Sequence, residues 1–146
     1  MKTHKATINS GIGVSAVDLK SETTYRSNPI ERAHSNGVQI SLAHGSAATA
    51  GAISIVGTPC DMSDQDIGPE VVIVSAIDIT GASAPTEIYL SFGPGMTTGC
   101  STGTVGSGAA VIAGAPKMRI GITVDTASDA TTATGTIDSI EQLRVV

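Results

Sequence analysis

The chain has 146 residues, a formal net charge of −5 and 40% hydrophobic residues, which suits one domain around a single core. Ala, Gly, Ser and Thr supply 69 residues, and Tyr25, Tyr89 and Phe92 are the only aromatics, so the core has to be assembled from Ile, Val, Leu, Met and Ala. No stretch approaches the ~20 apolar residues of a membrane span, no apolar run of signal-peptide length opens the chain, and no basic stripe offers a nucleic-acid footprint.

The charge is unevenly placed. Residues 1–32 hold Lys2, Lys5, Lys20, Arg26 and Arg32 against three acids, whereas residues 33–116 hold six acids and neither Lys nor Arg. Residues 1–36 are read as an N-terminal arm with the first short strands, at 6–8 and 14–19. Residues 37–146 are read as a β-sandwich, the whole forming one domain. The turn-forming Asn28, Pro29, Asn36 and Gly37 separate the two. The arm is either solvated or laid on an acidic protein surface through Lys2 and Lys5.

Strands follow at 38–43, 51–57, 71–80 and 86–92. Val38, Ile40 and Leu42 alternate with polar neighbours, as do Ile88, Leu90 and Phe92. That is the period of a strand with one buried face. The five residues 81–85 are short enough to predict an antiparallel hairpin between the strands at 71–80 and 86–92. Residues 57–69 read as a loop. It carries Asp61, Asp64 and Asp66 with Glu70 just after, at first, fourth and sixth positions rather than the first, third and fifth of a calcium loop. A solvated acidic loop is therefore the expected reading, and no metal or cofactor is expected.

Residues 93–108 contain six glycines and no charge. They lack the Lys-Ser/Thr and following helix of a phosphate loop. Such a segment can pack against a partner without burying unpaired ions, which makes Gly93, Pro94, Gly95 and Met96 candidate partner-binding residues beside Lys2 and Lys5. Met118, Ile120, Ile122 and Val124 then line one face of a clean strand. Residues 131–146 complete the sheet as one long or two short strands.

Cys60 and Cys100 lie far apart, without CxxC spacing, and read as small buried thiols more readily than as a disulfide. His4, His34 and His44 have no metal-spaced partner. Asp18 and Asp78, on strands, are expected to face water. Nothing supplies a catalytic constellation, and the lack of aromatic platforms weighs against glycoside chemistry. About eight strands at this spacing predict an all-β, antiparallel, two-sheet sandwich of jelly-roll type.

The turn-bounded strand at 38–43, the strand at 53–57, the acidic loop, and the late strand at 118–124 with its Ser/Thr/Ala turn and closing strand resemble the small jelly-roll structural proteins of tailed-bacteriophage virions. The resemblance is nearest to capsid cement, or decoration, proteins of short-tailed phages. It covers most of residues 38–146. It implies an oligomer, a dimer or trimer, seated at junctions of the major capsid protein on the virion exterior and made in the host cytoplasm. It carries over no catalytic residues, and the charge and apolar patterns lead to an expectation of no direct nucleic-acid contact and no membrane. A tail or head–tail accessory protein and a glycan- or ligand-binding β-sandwich module are the alternatives.

Overall fold

The computed structural model describes residues 2–8, 17–31, 35–91, 104–105 and 115–145. Eleven strands appear among them: β1 (Lys2–Ile8), β2 (Val17–Asp18), β3 (Thr24–Arg26), β4 (Ile30–Glu31), β5 (Ser35–His44), β6 (Ala52–Cys60), β7 (Val71–Asp78), β8 (Glu87–Ser91), β9 (Thr104–Val105), β10 (Lys117–Thr126) and β11 (Ala133–Val145). All pairings are antiparallel.

One sheet runs β1-β11-β5-β8, with β2 also on β11; the other runs β3-β10-β6-β7-β9, with β4 also on β10. Removing the two-residue strands leaves eight, four to a sheet. Their order, first beside last and each sheet drawing on both halves of the chain, is the double Greek key of a jelly roll. The predicted fold class is therefore the observed one.

The core forms where the periodicity places it. Val38, Ile40 and Leu42 of β5, Ile88 and Leu90 of β8, and Ile137 of β11 face Ile53 and Ile55 of β6, Ile73, Val74 and Ile77 of β7, and Met118, Ile120, Ile122 and Val124 of β10. Among the described residues, Tyr25 is the aromatic packed against this cluster, and it is only partly buried. The rest is aliphatic, as the composition requires. Cys60 is a buried thiol; Cys100 lies outside the described residues. Asp18 and Asp78 are exposed as expected.

One prediction is overturned. The strands at 71–80 and 86–92 do not form a hairpin: β7 pairs with β6 and β9, while β8 pairs with β5 in the opposite sheet. The reason lies just after β7. Ile79 is fully buried and draws the chain into the core. Gly81 then takes φ +75°, a left-handed conformation that costs glycine little, and its amide donates to Ala48 O at 2.9 Å. Five residues bridge the ~10 Å between stacked sheets as readily as they close a hairpin, so spacing alone did not separate the two.

β3 and β4 fall where only turn signals are visible in the sequence, and β6 continues past the expected strand end through Pro59 to Cys60.

One end of the sandwich is knitted by short connections. Asp129 accepts from the Thr49 amide at 2.7 Å, the Ala50 amide at 3.1 Å and the Thr49 hydroxyl. Gly45 N donates to Thr132 O and Ser128 N to Leu19 O. The acidic segment after β6 lies at the other end.

Candidate interaction surface

The outer face of the sheet formed by β3, β10, β6 and β7 carries most of the described ionic contacts. Residues directly opposed on neighbouring strands share a face. The register aligns Arg26, Gly121, Val56 and Val72 in one row across four strands. A second row runs Lys117, Cys60, Asp66, and Arg119 stands opposite Thr58 between them.

The acidic segment is not a free loop. Ile67 N donates to Pro59 O at 2.9 Å, and Cys60 and Asp66 form a β-bridge. Residues 59–67 are therefore a tight hairpin that extends β6. Its turn is fixed by Asp61, whose carboxylate accepts from the Ser63 and Gln65 amides at 2.8 and 3.0 Å, an Asx turn.

Three ion pairs among the described residues tie this hairpin and the start of β7 to the cations of β10 and β3. Lys117 meets Asp64 at 2.7 Å, Arg119 meets Asp66 at 3.1 Å, and Arg26 meets Glu70 at 2.5 Å. Arg119 also donates to Asp64 O. The hydrogen bond to Asp64 raises the Lys117 pKa above its ordinary value, and the bond to Glu70 does the same for Arg26. Cations on β3 and β10 thus stand along one side, and Asp64, Asp66 and Glu70 along the other. Glu31 of β4, opposite Lys117, borders the cationic side.

The Arg26 stem lies over β10 beside Val56: a Cβ at position 121 would stand 3.4 Å from Arg26 Cγ and 3.0 Å from Val56 Cγ2, and only 2.7 Å from Tyr25 O, the contact that requires glycine there. Val56 is only 5% exposed although it faces away from the core. Cys60, on the same outward face, is sealed in the same way. Its thiol contacts Asp66 Oδ1 at 3.4 Å and Thr58 O at 3.5 Å. Burial, and then Asp66, push the thiol pKa up. A neutral, covered sulfhydryl of this kind is a poor nucleophile.

Apolar groups stand beside the charges. Met62 and Ile67 of the hairpin and Val72 of β7 are 60%, 56% and 46% exposed. They are the large aliphatic side chains most exposed among the described residues. A rigid platform of mutually paired charges with apolar groups at its margin is suited to protein contact. No cluster of His, Cys, Asp or Glu with metal-binding geometry occurs among the described residues.

Of the residues singled out from sequence, two lie in the other sheet. Lys2 and Lys5 belong to β1, with backbones opposite Val145 and Gln142 of β11. Gly93, Pro94, Gly95 and Met96 lie outside the described residues. Sequence reading missed Arg26, Lys117 and Arg119 as a set. The available signal was the alternation of Lys117 and Arg119 with Met118 and Ile120, which turns both cations to the outer face.

No protein-family model and no curated protein matches the chain. Among solved structures it has weak similarity to that of infectious bursal disease virus, Gx strain, with TM-score 0.43 and 8% identity over 97% of this chain and 32% of that one. The VP2 subviral particle of the same virus gives TM-score 0.37 and 8% identity over 96% and 29%. A carbohydrate-binding module, TmCBM61 in complex with β-1,4-galactotriose, gives TM-score 0.25 and 8% identity over 98% and 88%. The chain spans about a third of the length of the viral chains it matches.

Proposed function

We propose that this chain is a virion structural protein that decorates and cements a tailed-phage capsid from outside, binding at junctions between major capsid subunits. The observation that carries the reading is the strand order. The residues that resemble cement proteins lie on an eight-strand jelly roll with β1-β11-β5-β8 facing β3-β10-β6-β7. Fold alone does not dictate function; the sequence resemblance points from this fold to that role. The role is non-catalytic and needs no cofactor. The partners are the major capsid protein and further copies of this chain, with neither nucleic acid nor membrane.

The test is co-sedimentation of the purified chain with expanded capsids lacking it, followed by counting bound copies. Saturation in proportion to the major capsid subunits supports the reading. Binding of only a handful of copies at one vertex replaces it with a head–tail role. No binding, together with a glycan-dependent rise in melting temperature, replaces it with a ligand-binding module.

A further inference from the structure

We propose that the outer face of the β3-β10-β6-β7 sheet is a self-association surface on which a second copy of this chain docks about a two-fold axis. The inference rests on the proposed reading that copies of this chain associate and names the surface and symmetry of that contact from how the charges are arranged; it does not depend on capsid binding.

Arg26, Lys117 and Arg119 line one side of the face, and Asp64, Asp66 and Glu70 line the other, because the first set belongs to β3 and β10 and the second to the hairpin after β6 and the start of β7. A two-fold axis lying in the contact plane, along the boundary between the stripes, exchanges left for right. The cationic stripe of one copy then faces the carboxylate stripe of the other, twice over. This is the self-complementarity an isologous dimer demands. A face of uniform sign would repel its own copy.

Each charge is already paired and partly desolvated within its own chain, so the second copy adds a partner without stripping a bare ion of water. Val72, in one row with Arg26 and Val56, gives the contact apolar area to bury.

The experiment is sedimentation equilibrium of the full chain and of two charge-reversed variants. One carries Lys117→Glu with Arg119→Glu; the other carries Asp66→Lys with Glu70→Lys. The expected results are a wild-type dimer that weakens with added NaCl and variants that are each monomeric. Mixing the two variants gives a heterodimer, because one face then keeps only Arg26 among its cations and the other only Asp64 among its carboxylates. A wild-type monomer overturns the proposal, as does a dimer unaffected by either reversal or a mixture that stays monomeric. Circular dichroism checks that both variants fold. If either does not, Val72→Glu serves instead: it places a charge in the contact while leaving every ion pair intact. It is expected to weaken the dimer about tenfold or more, and an unchanged dimer overturns the proposal.

Discussion

Arg26 Nε and Glu70 Oε2 meet at 2.5 Å across the backbone of Gly121, although the two residues sit on opposite sides of β10 and β6. The glycine itself is required by the Tyr25 carbonyl, which a β-carbon would meet at 2.7 Å. Being exposed, the ion pair contributes little by itself; its effect is to shield Val56.

Two glycine substitutions separate crowding from backbone conformation. Gly121→Ala brings a Cβ to 2.7 Å from Tyr25 O, a backbone atom that cannot step aside without disturbing β3. A loss of about 1–3 kcal/mol is expected in urea unfolding. Gly81→Ala meets nothing within 4 Å but must hold φ +75°, so its cost is conformational, about 1 kcal/mol. Equal, negligible effects at both sites would contradict the packing described for β10.

Ile120→Asp is expected to abolish folding. Ile120 is fully buried between the sheets, and an unpaired carboxylate there costs several kcal/mol. The measurement is near-ultraviolet circular dichroism or amide-resonance dispersion on the purified variant; a native-like spectrum would place the wrong face of β10 inside.

Asp129 makes one end of the sandwich sensitive to acid. The Thr49 hydroxyl, then the Ala50 and Thr49 amides, hold its carboxyl below the usual carboxylate range. Its folded pKa lies below its unfolded one. Its contribution is therefore fully present above the ordinary carboxylate pKa, about 3.9, and is lost as pH falls through the lower folded value. Asp129→Asn should lower the melting temperature at neutral pH, and the gap from wild type should close in strong acid. A gap that persists unchanged there would show that the carboxylate's charge is not what binds the loops.

The thiol of Cys60 should react slowly with a disulfide reagent in the native state. In a Cys100→Ser background, Arg119→Gln should speed the reaction by opening the cover formed with Asp66. The fold should be unaffected, because Arg119 is outside the core. Equal rates in the two chains would mean that something other than this ion pair seals the sulfur.

Much of the fold was legible along the chain because it depends on neighbours in sequence. The alternation of Met118, Ile120, Ile122 and Val124 declared both the strand and its buried face, and the scarcity of aromatics declared an aliphatic core. What could not be read depends on register between strands far apart in the chain. The spacing from β7 to β8 fits a hairpin and an inter-sheet arch equally well. The encounter of Asp64 and Asp66 with Lys117 and Arg119 exists only once β10 is laid beside β6. Three-residue β3 carries too little pattern to announce itself, yet it positions Arg26.

The pairing of β1 with β11, Lys2 opposite Val145, also has a temporal side. Until β11 has been made, β1 has nothing to pair with and β5 lacks the neighbour that will separate it from β1. Assembly of that sheet must wait for β11 to emerge. Such distant closures fold slowly and leave strand edges open in the meantime. A cell producing this chain in quantity would therefore hold a standing pool of unfinished molecules, and its yield would respond more to chaperone supply and growth temperature than to the stability of the finished sandwich.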